Sequence, residues 1–275
     1  AREMLRTYWR KISDAAKRSP LQPSPWDKLF GRGSMDHSPG WMFYDSLSRL
    51  VSPYQLNPMN LNPLRDALAE VIHCDALNRT DRVKLFICAS NVLTGKIKVF
   101  DRTEVSIDAV LASACLPFLF QAVEIAGEHY WDGGYMGNPA LFPLFYKAHC
   151  DDILLVQINP IQRRELPTKA REIQDRLNEI TFNASLLREL RAIDFVNRLI
   201  DEGRLDPGRY RRNRVHRIDA TEALSQYSAA SKRDTSWHFF QELHAAGRAA
   251  AQQWLKQHYD DSGVRSTIDL RAEFG

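Results

Sequence analysis

Two short apolar runs constrain this chain more than any other feature. Lys84-Leu-Phe-Ile-Cys-Ala-Ser90 and Ile153-Leu-Leu-Val-Gln-Ile158 are bounded by polar residues and turn signals, and both are too short for core helices. Runs of this kind read as strands buried in a sheet. Between them the texture alternates. Asn91 to Gly95 is a turn, and Lys96-Ile-Lys-Val-Phe100 alternates in period two like a hairpin return. Ser106 to Cys115 reads as a helix closed by Pro117, Gln121 to Ile125 as a strand, and Pro139 to His149 as a further helix. Upstream, Leu5, Trp9 and Ile12 place a helix at the start, and Asn62-Pro63 caps one that runs to about Cys74. Residues 17 to 62 carry Pro, Ser, Asn and Gly with Trp26, Phe30, Trp41, Phe43 and Tyr44, which is loop and short helix with buried aromatics. Strands alternating with helices predict an α/β fold, a mainly parallel sheet sandwiched by helices. After Pro160 the strand signals largely stop. Ala170 to Glu202 and Trp237 to Tyr259 are helical, so residues 165–275 are expected to form a mainly helical C-terminal extension packed on a domain of residues 1–164.

Composition removes several function classes. The 37 basic and 34 acidic residues leave a net charge of +3, too balanced for a nucleic-acid partner. Cys74, Cys88, Cys115 and Cys150 form no CxxC pair, so they read as reduced thiols of a cytosolic-type protein. The most apolar stretch, Ala109 to Val123, is broken by Ser113, Pro117 and Gln121 and is no membrane span. No signal peptide is visible, and a chain that opens in mid-helix at Ala1 is expected to have lost something upstream. The eight histidines are scattered, with His238 and His244 on different helix faces, so no metal site is predicted. Phosphate-loop and dinucleotide fingerprints are missing, and no cofactor is expected. Gly-x-Ser-x-Gly does not occur; Gly31-Arg-Gly-Ser-Met35 comes closest and fails.

The informative segment is Ala112-Ser-Ala-Cys-Leu-Pro-Phe-Leu-Phe-Gln121 followed by Tyr130-Trp-Asp-Gly-Gly-Tyr-Met-Gly-Asn-Pro139. Gly133 and Gly134 allow a sharp turn at φ > 0 and a close approach of another chain, so Asp132 can present its carboxylate in a cleft beside a nucleophile. Asp-Gly is also the ordinary two-residue hairpin turn, and spacing alone does not choose between the two.

The wider context does choose. A helix of small residues closing in Leu116-Pro117, a strand, then Asp132-Gly133-Gly134 with Asn138-Pro139 resembles the second half of the patatin-like phospholipase domain. Ser52-Pro-Tyr-Gln-Leu-Asn-Pro58, Asn62-Pro-Leu-Arg65, Ile180-Thr-Phe-Asn-Ala-Ser-Leu-Leu-Arg-Glu-Leu190 and Ser266-Thr-Ile-Asp-Leu270 look like a bacterial branch of that family. The resemblance covers nearly the whole chain and is most specific from Leu85 to Pro160. It implies a serine lipid acyl hydrolase acting on lipid or acyl-ester substrates through a Ser-Asp dyad with no histidine. The family's base position is Asp132. Its serine, in Gly-x-Ser-x-Gly at a strand-to-helix elbow, and its Gly-rich oxyanion loop would fall before Ala1, in two βα units of roughly 30 residues each.

That departure decides what these 275 residues can do alone. Asp132 without a serine has nothing to activate, and loss of even one oxyanion donor costs roughly 10²- to 10³-fold in rate. The parent protein is therefore expected to be an esterase or phospholipase, and this chain alone inactive. A non-catalytic lipid-binding or regulatory relative is the alternative. The apolar strands near Leu85–Ala89 and Leu154–Ile158 are each expected to lack a neighbour. Tyr210-Arg-Arg-Asn-Arg-Val-His-Arg217 reads as a solvated basic face, the other reading being peripheral contact with anionic lipid headgroups. Cys115, inside an apolar helix, is expected to be a neutral and inert thiol. Acyl length, headgroup preference and oligomeric state have no signature in the sequence.

Overall fold

A strand hairpin after Phe86 and a crossover after Asp152 organise the molecule. The computed structural model describes residues 2–17, 51–163, 165–224, 227, 231 and 234–274. The aromatics Trp26, Phe30, Trp41, Phe43 and Tyr44 and the Gly31–Met35 segment lie outside the described residues. By packing, the chain divides into two units, one of Ala1–Gly133 with Ser225–His244 and the other of Gly134–Leu224 with Ala245–Gly275.

The first unit holds four strands: β1 (Phe86–Asn91), β2 (Ile97–Asp101), β3 (Val123–Ile125) and β4 (Glu128–Asp132). They form one sheet in the order β2-β1-β4-β3, every pair antiparallel. Short turns set that direction for β1 with β2 and for β3 with β4. Asn91 folds the β1–β2 turn by accepting the Leu93 and Thr94 N–H groups on its side-chain oxygen at 3.1 and 2.9 Å, and Gly95 completes it at φ +64°. Ala126 and Gly127, at φ +53° and +80°, make the two-residue turn that sets Ile125 opposite Glu128. The helix Ile107–Ser113 begins at Ser106, whose hydroxyl accepts the Ala109 N–H at 3.1 Å. Its Ala109 and Ala112 are fully buried with Ala89, Phe100 and Tyr130, the small side chains letting the helix lie close on β1. Phe100 and Tyr130 meet edge to face at 5.5 Å. The predicted start at Asn62-Pro63 holds, with the Asn62 side chain accepting from Leu64 N–H, but the helix stops at Val71 and a second one spans Cys74–Arg79.

The second unit is a βαβ crossover. β5 (Asp152–Gln157) pairs in parallel with β6 (Arg214–Asp219), and the long helix Ala170–Asp201 connects them. Ile153, Leu155 and Val215 face Leu186, Leu190 and Ile193 of that helix, and Leu141 and Leu270 close the same core.

The α/β class and the helical C-terminal region are therefore as expected. Among the described residues parallel pairing is confined to β5 and β6; short turns join β1 to β2 and β3 to β4, and the longer connection from β2 to β3 carries the helix Ile107–Ser113 while β4 still pairs antiparallel with β1. The strand expected to lack a neighbour at Leu85–Ala89 has one on each side, β2 and β4. β5 has one partner among the described residues and buries one face, with Leu154, Val156 and Ile158 exposed. β4 and β6 had not been expected as strands.

Candidate active site

Asp132 is the last residue of β4, opposite Ala89 of β1. At that point the sheet ladder gives way to other partners. The Asp132 N–H donates to the carbonyl of Cys115 at 2.8 Å, just past the helix Ile107–Ser113. Its carbonyl accepts the Ser90 hydroxyl, also at 2.8 Å. Ser90 itself is buried, one of the few polar side chains in the core of this unit. Both main-chain groups of Asp132 are thus held, one from the helix end and one from β1, and the residue is half-buried at the strand's exit.

Gly133 follows because no other residue fits. A Cβ there would lie 2.1 Å from the Cys88 carbonyl oxygen and 2.6 Å from its carbon, so the chain passes directly against β1. Of the two expected roles, φ > 0 is corrected and close approach holds: among the described residues the positive-φ glycines are Gly95, Gly127, Gly203 and Gly263, and Gly133 is required for close approach. The Asp-Gly pair is likewise no hairpin turn. It leads from β4 into a single 3-10 turn, Gly133–Tyr135, with Gly134 the first residue of the second unit. Beyond it, Tyr135 packs on Phe182 at 5.1 Å, the Asn138 N–H donates to Ser185 Oγ at 3.2 Å, and the Leu141 N–H donates to Glu189 at 2.6 Å. Within the second unit, residues 135–141 are thereby pinned to the helix Ala170–Asp201. The Asn138–Pro139 peptide bond is cis.

Cys115 is a neighbour of this carboxylate and no rival to it. Burial pushes its thiol up to about 11, the Val123 N–H offsets part of that, and the Asp132 charge raises it further. Its Sγ lies 3.2 Å from the Gln121 carbonyl, to which it donates. A thiol in that state is not a nucleophile near neutral pH.

The basic run Tyr210–Arg217 is part exposed segment and part strand. Arg214 to Asp219 is β6, with Val215 and His216 fully buried. Arg214 forks onto Asp152 at 3.0 and 2.8 Å, Arg212 onto Asp201 at 2.8 and 3.2 Å, Arg217 pairs with Glu273, and Arg211 donates to the Ala148 carbonyl. Arg214 and Arg217 are thus largely enclosed and paired within the fold, while Arg212 and Tyr210 lie on an exposed face.

A polar cleft in the first unit is lined by Asn60, Asn62, Arg65, Asp108 and Gln121, with Arg65 paired to Asp108; Asp132 is not in its wall. Among the described residues no three His, Cys, Asp or Glu side chains gather to hold a metal ion, and no helix is long and apolar enough to cross a membrane.

The sequence reading singles out Asp132, Gly133 and Gly134, which the structure places together at the exit of β4, and does not single out Ser90 beside them. A lone hydroxyl inside an apolar run was its only signal, since a buried hydroxyl must find an acceptor. A family model described as patatin-like phospholipase matches residues 2–145, more than half of the chain. A search of curated proteins finds no match.

Proposed function

The chain belongs to the patatin-like phospholipase family, a family of lipid acyl hydrolases, and on that premise we propose that it carries the base of a Ser-Asp dyad, with Asp132 in that role. The serine and the oxyanion donors would come from a segment upstream of Ala1, and the substrate would be a lipid or another acyl ester. Residues 1–164 would be the C-terminal part of the hydrolase domain and 165–275 its mainly helical extension.

One observation carries the reading. Asp132 sits at the exit of a central strand with its N–H held by Cys115 and its carbonyl by Ser90, followed by a glycine that admits no side chain. A general base must be presented in a fixed direction, within hydrogen-bond reach of the proton it removes. The same geometry explains why a single carboxylate suffices. An ionised Asp accepts the serine proton directly, and a held main chain does the orienting that a third residue performs in a triad.

Asp132→Asn tests it, in the protein expressed from its complete reading frame. The amide is nearly isosteric and cannot take the proton. Hydrolysis of a p-nitrophenyl acyl ester should fall by about 10²- to 10⁴-fold with the circular dichroism spectrum unchanged. A variant that hydrolyses at the wild-type rate removes Asp132 from the mechanism. The regulatory alternative keeps one point in its favour, that no Gly-x-Ser-x-Gly occurs in these 275 residues. A complete reading frame that also lacks that motif would make it the leading account.

A further inference from the structure

We propose that Ser90 is a positioning residue for Asp132, setting the direction of its carboxylate through the main chain. The inference rests on the reading of Asp132 as the base. Ser90 lies near the end of β1, opposite Trp131, and is only 6% exposed. A buried strand position of this kind is filled most stably by an apolar β-branched residue, because a hydroxyl taken out of water must be compensated by a hydrogen bond. Ser90 finds that bond on the Asp132 carbonyl oxygen, 2.8 Å away.

The bond acts on the peptide plane between Asp132 and Gly133. Two contacts from β1 fix that plane: the Ser90 hydroxyl on the Asp132 carbonyl, and the Cys88 carbonyl against the place where a Gly133 side chain would be. The Asp132 N–H, held by Cys115, fixes the preceding plane. With both planes set, the Cα–Cβ bond of Asp132 has one direction. Removing the hydroxyl takes that hydrogen bond from the Asp132 carbonyl and lets the second plane tilt. Ser90 does not serve as a nucleophile itself, since its hydroxyl is enclosed in the sheet and donated to a main-chain oxygen.

A group that acts only on the orientation of the base should change the chemical step and not substrate binding. In the protein expressed from its complete reading frame, Ser90→Ala should lower kcat for a p-nitrophenyl acyl ester by about tenfold with KM within about twofold. Ser90→Thr keeps the hydroxyl and suits a strand, and should recover kcat to within about threefold of wild type. Asp132→Asn is run beside them. If Asp132→Asn is silent and Ser90→Ala runs at the wild-type rate, the base reading stands and the positioning role is overturned. If Ser90→Ala and Ser90→Thr are equally impaired with equally lowered Tm, the role is structural packing and the proposal is overturned as well. An active Asp132→Asn enzyme overturns both.

Discussion

A methyl group on residue 133 would sit 2.1 Å from the Cys88 carbonyl oxygen, a contact with main chain and not with a side chain that could swing away. Gly133→Ala must therefore push the exit of β4 off β1, and the overpacking should cost at least about 1–3 kcal/mol. Gly127 offers the contrast. It has open space around its Cα but sits at φ +80°, so its demand is on torsion. Gly127→Asn should be tolerated, because Asn adopts the left-handed region with little penalty, whereas Gly133→Asn should be as damaging as Gly133→Ala. Thermal melts of the three variants check this, and a Gly133→Asn protein as stable as Gly127→Asn would show that the close approach is not required. These two glycines also mark what a sequence can show at this scale. That something was special at Asp132-Gly133 was legible only from the wider context, since an Asp-Gly pair by itself reads as an ordinary hairpin turn. Which property of glycine was being used was not legible, because the Cys88 carbonyl that decides it lies far away in the chain. Ser90 was hidden for the same reason: its acceptor is 42 residues away.

The two strands missed in the sequence, β4 and β6, are both ones whose stabilising partners are distant. Glu128-His-Tyr-Trp-Asp132 is polar at both ends, and its hairpin turn is Ala126-Gly127, a pairing with little turn signature. β6 carries Arg214, Arg217 and Asp219, and a charged run reads as surface until its counter-charges are known. Asp152, at the start of β5, supplies the main one. Its carboxylate accepts from Arg214, from the Gly263 N–H at 2.9 Å and meets His216 Nε2 at 3.0 Å, so it ties β5, β6 and the C-terminal segment together. Arg214, with help from Gly263 and His216, holds its carboxyl well below the usual carboxylate range. The sign follows directly. A lowered carboxyl stabilises the fold while it is ionised and the unfolded chain would also be ionised, and that contribution is lost as pH falls below the ordinary Asp range toward the depressed value. Asp152→Asn should lower the urea midpoint at pH 7 and narrow its gap to wild type as the pH is taken from 5 to 2.5, on the order of the ordinary Asp titration. A gap that stays constant over that range would mean that the Asp152 charge contributes nothing. The α/β class, by contrast, was legible because β1 and β5 announce themselves within a few residues and need no distant partner to be seen.

At the scale of the molecule, β5 presents an unresolved demand. Ile153 and Leu155 enter the core beneath the helix Ala170–Asp201, while Leu154, Val156 and Ile158 on the opposite face are 46, 72 and 67% exposed. Strands in parallel pairing are ordinarily covered on both faces, and three apolar side chains on one face, along and just past a strand that has one partner among the described residues, make an adhesive surface. Residues 1–275 expressed alone should therefore bind the dye ANS and self-associate in a concentration-dependent way. Val156→Lys with Ile158→Lys should reduce both, and since these side chains leave the core untouched, the helical signal in circular dichroism should not change. In the protein from its complete reading frame the same pair of lysines has the opposite expected effect. If a further layer of that protein covers this face, two buried charges would lower its stability by several kcal/mol and its solubility with it. Analytical ultracentrifugation and thermal melts of both lengths separate the cases. A monomeric 1–275 chain that binds no dye, and that the lysines leave unchanged, would show that the alternating pattern of β5 asks for no covering layer, and the proposal that catalytic strands lie upstream would lose its support in the fold.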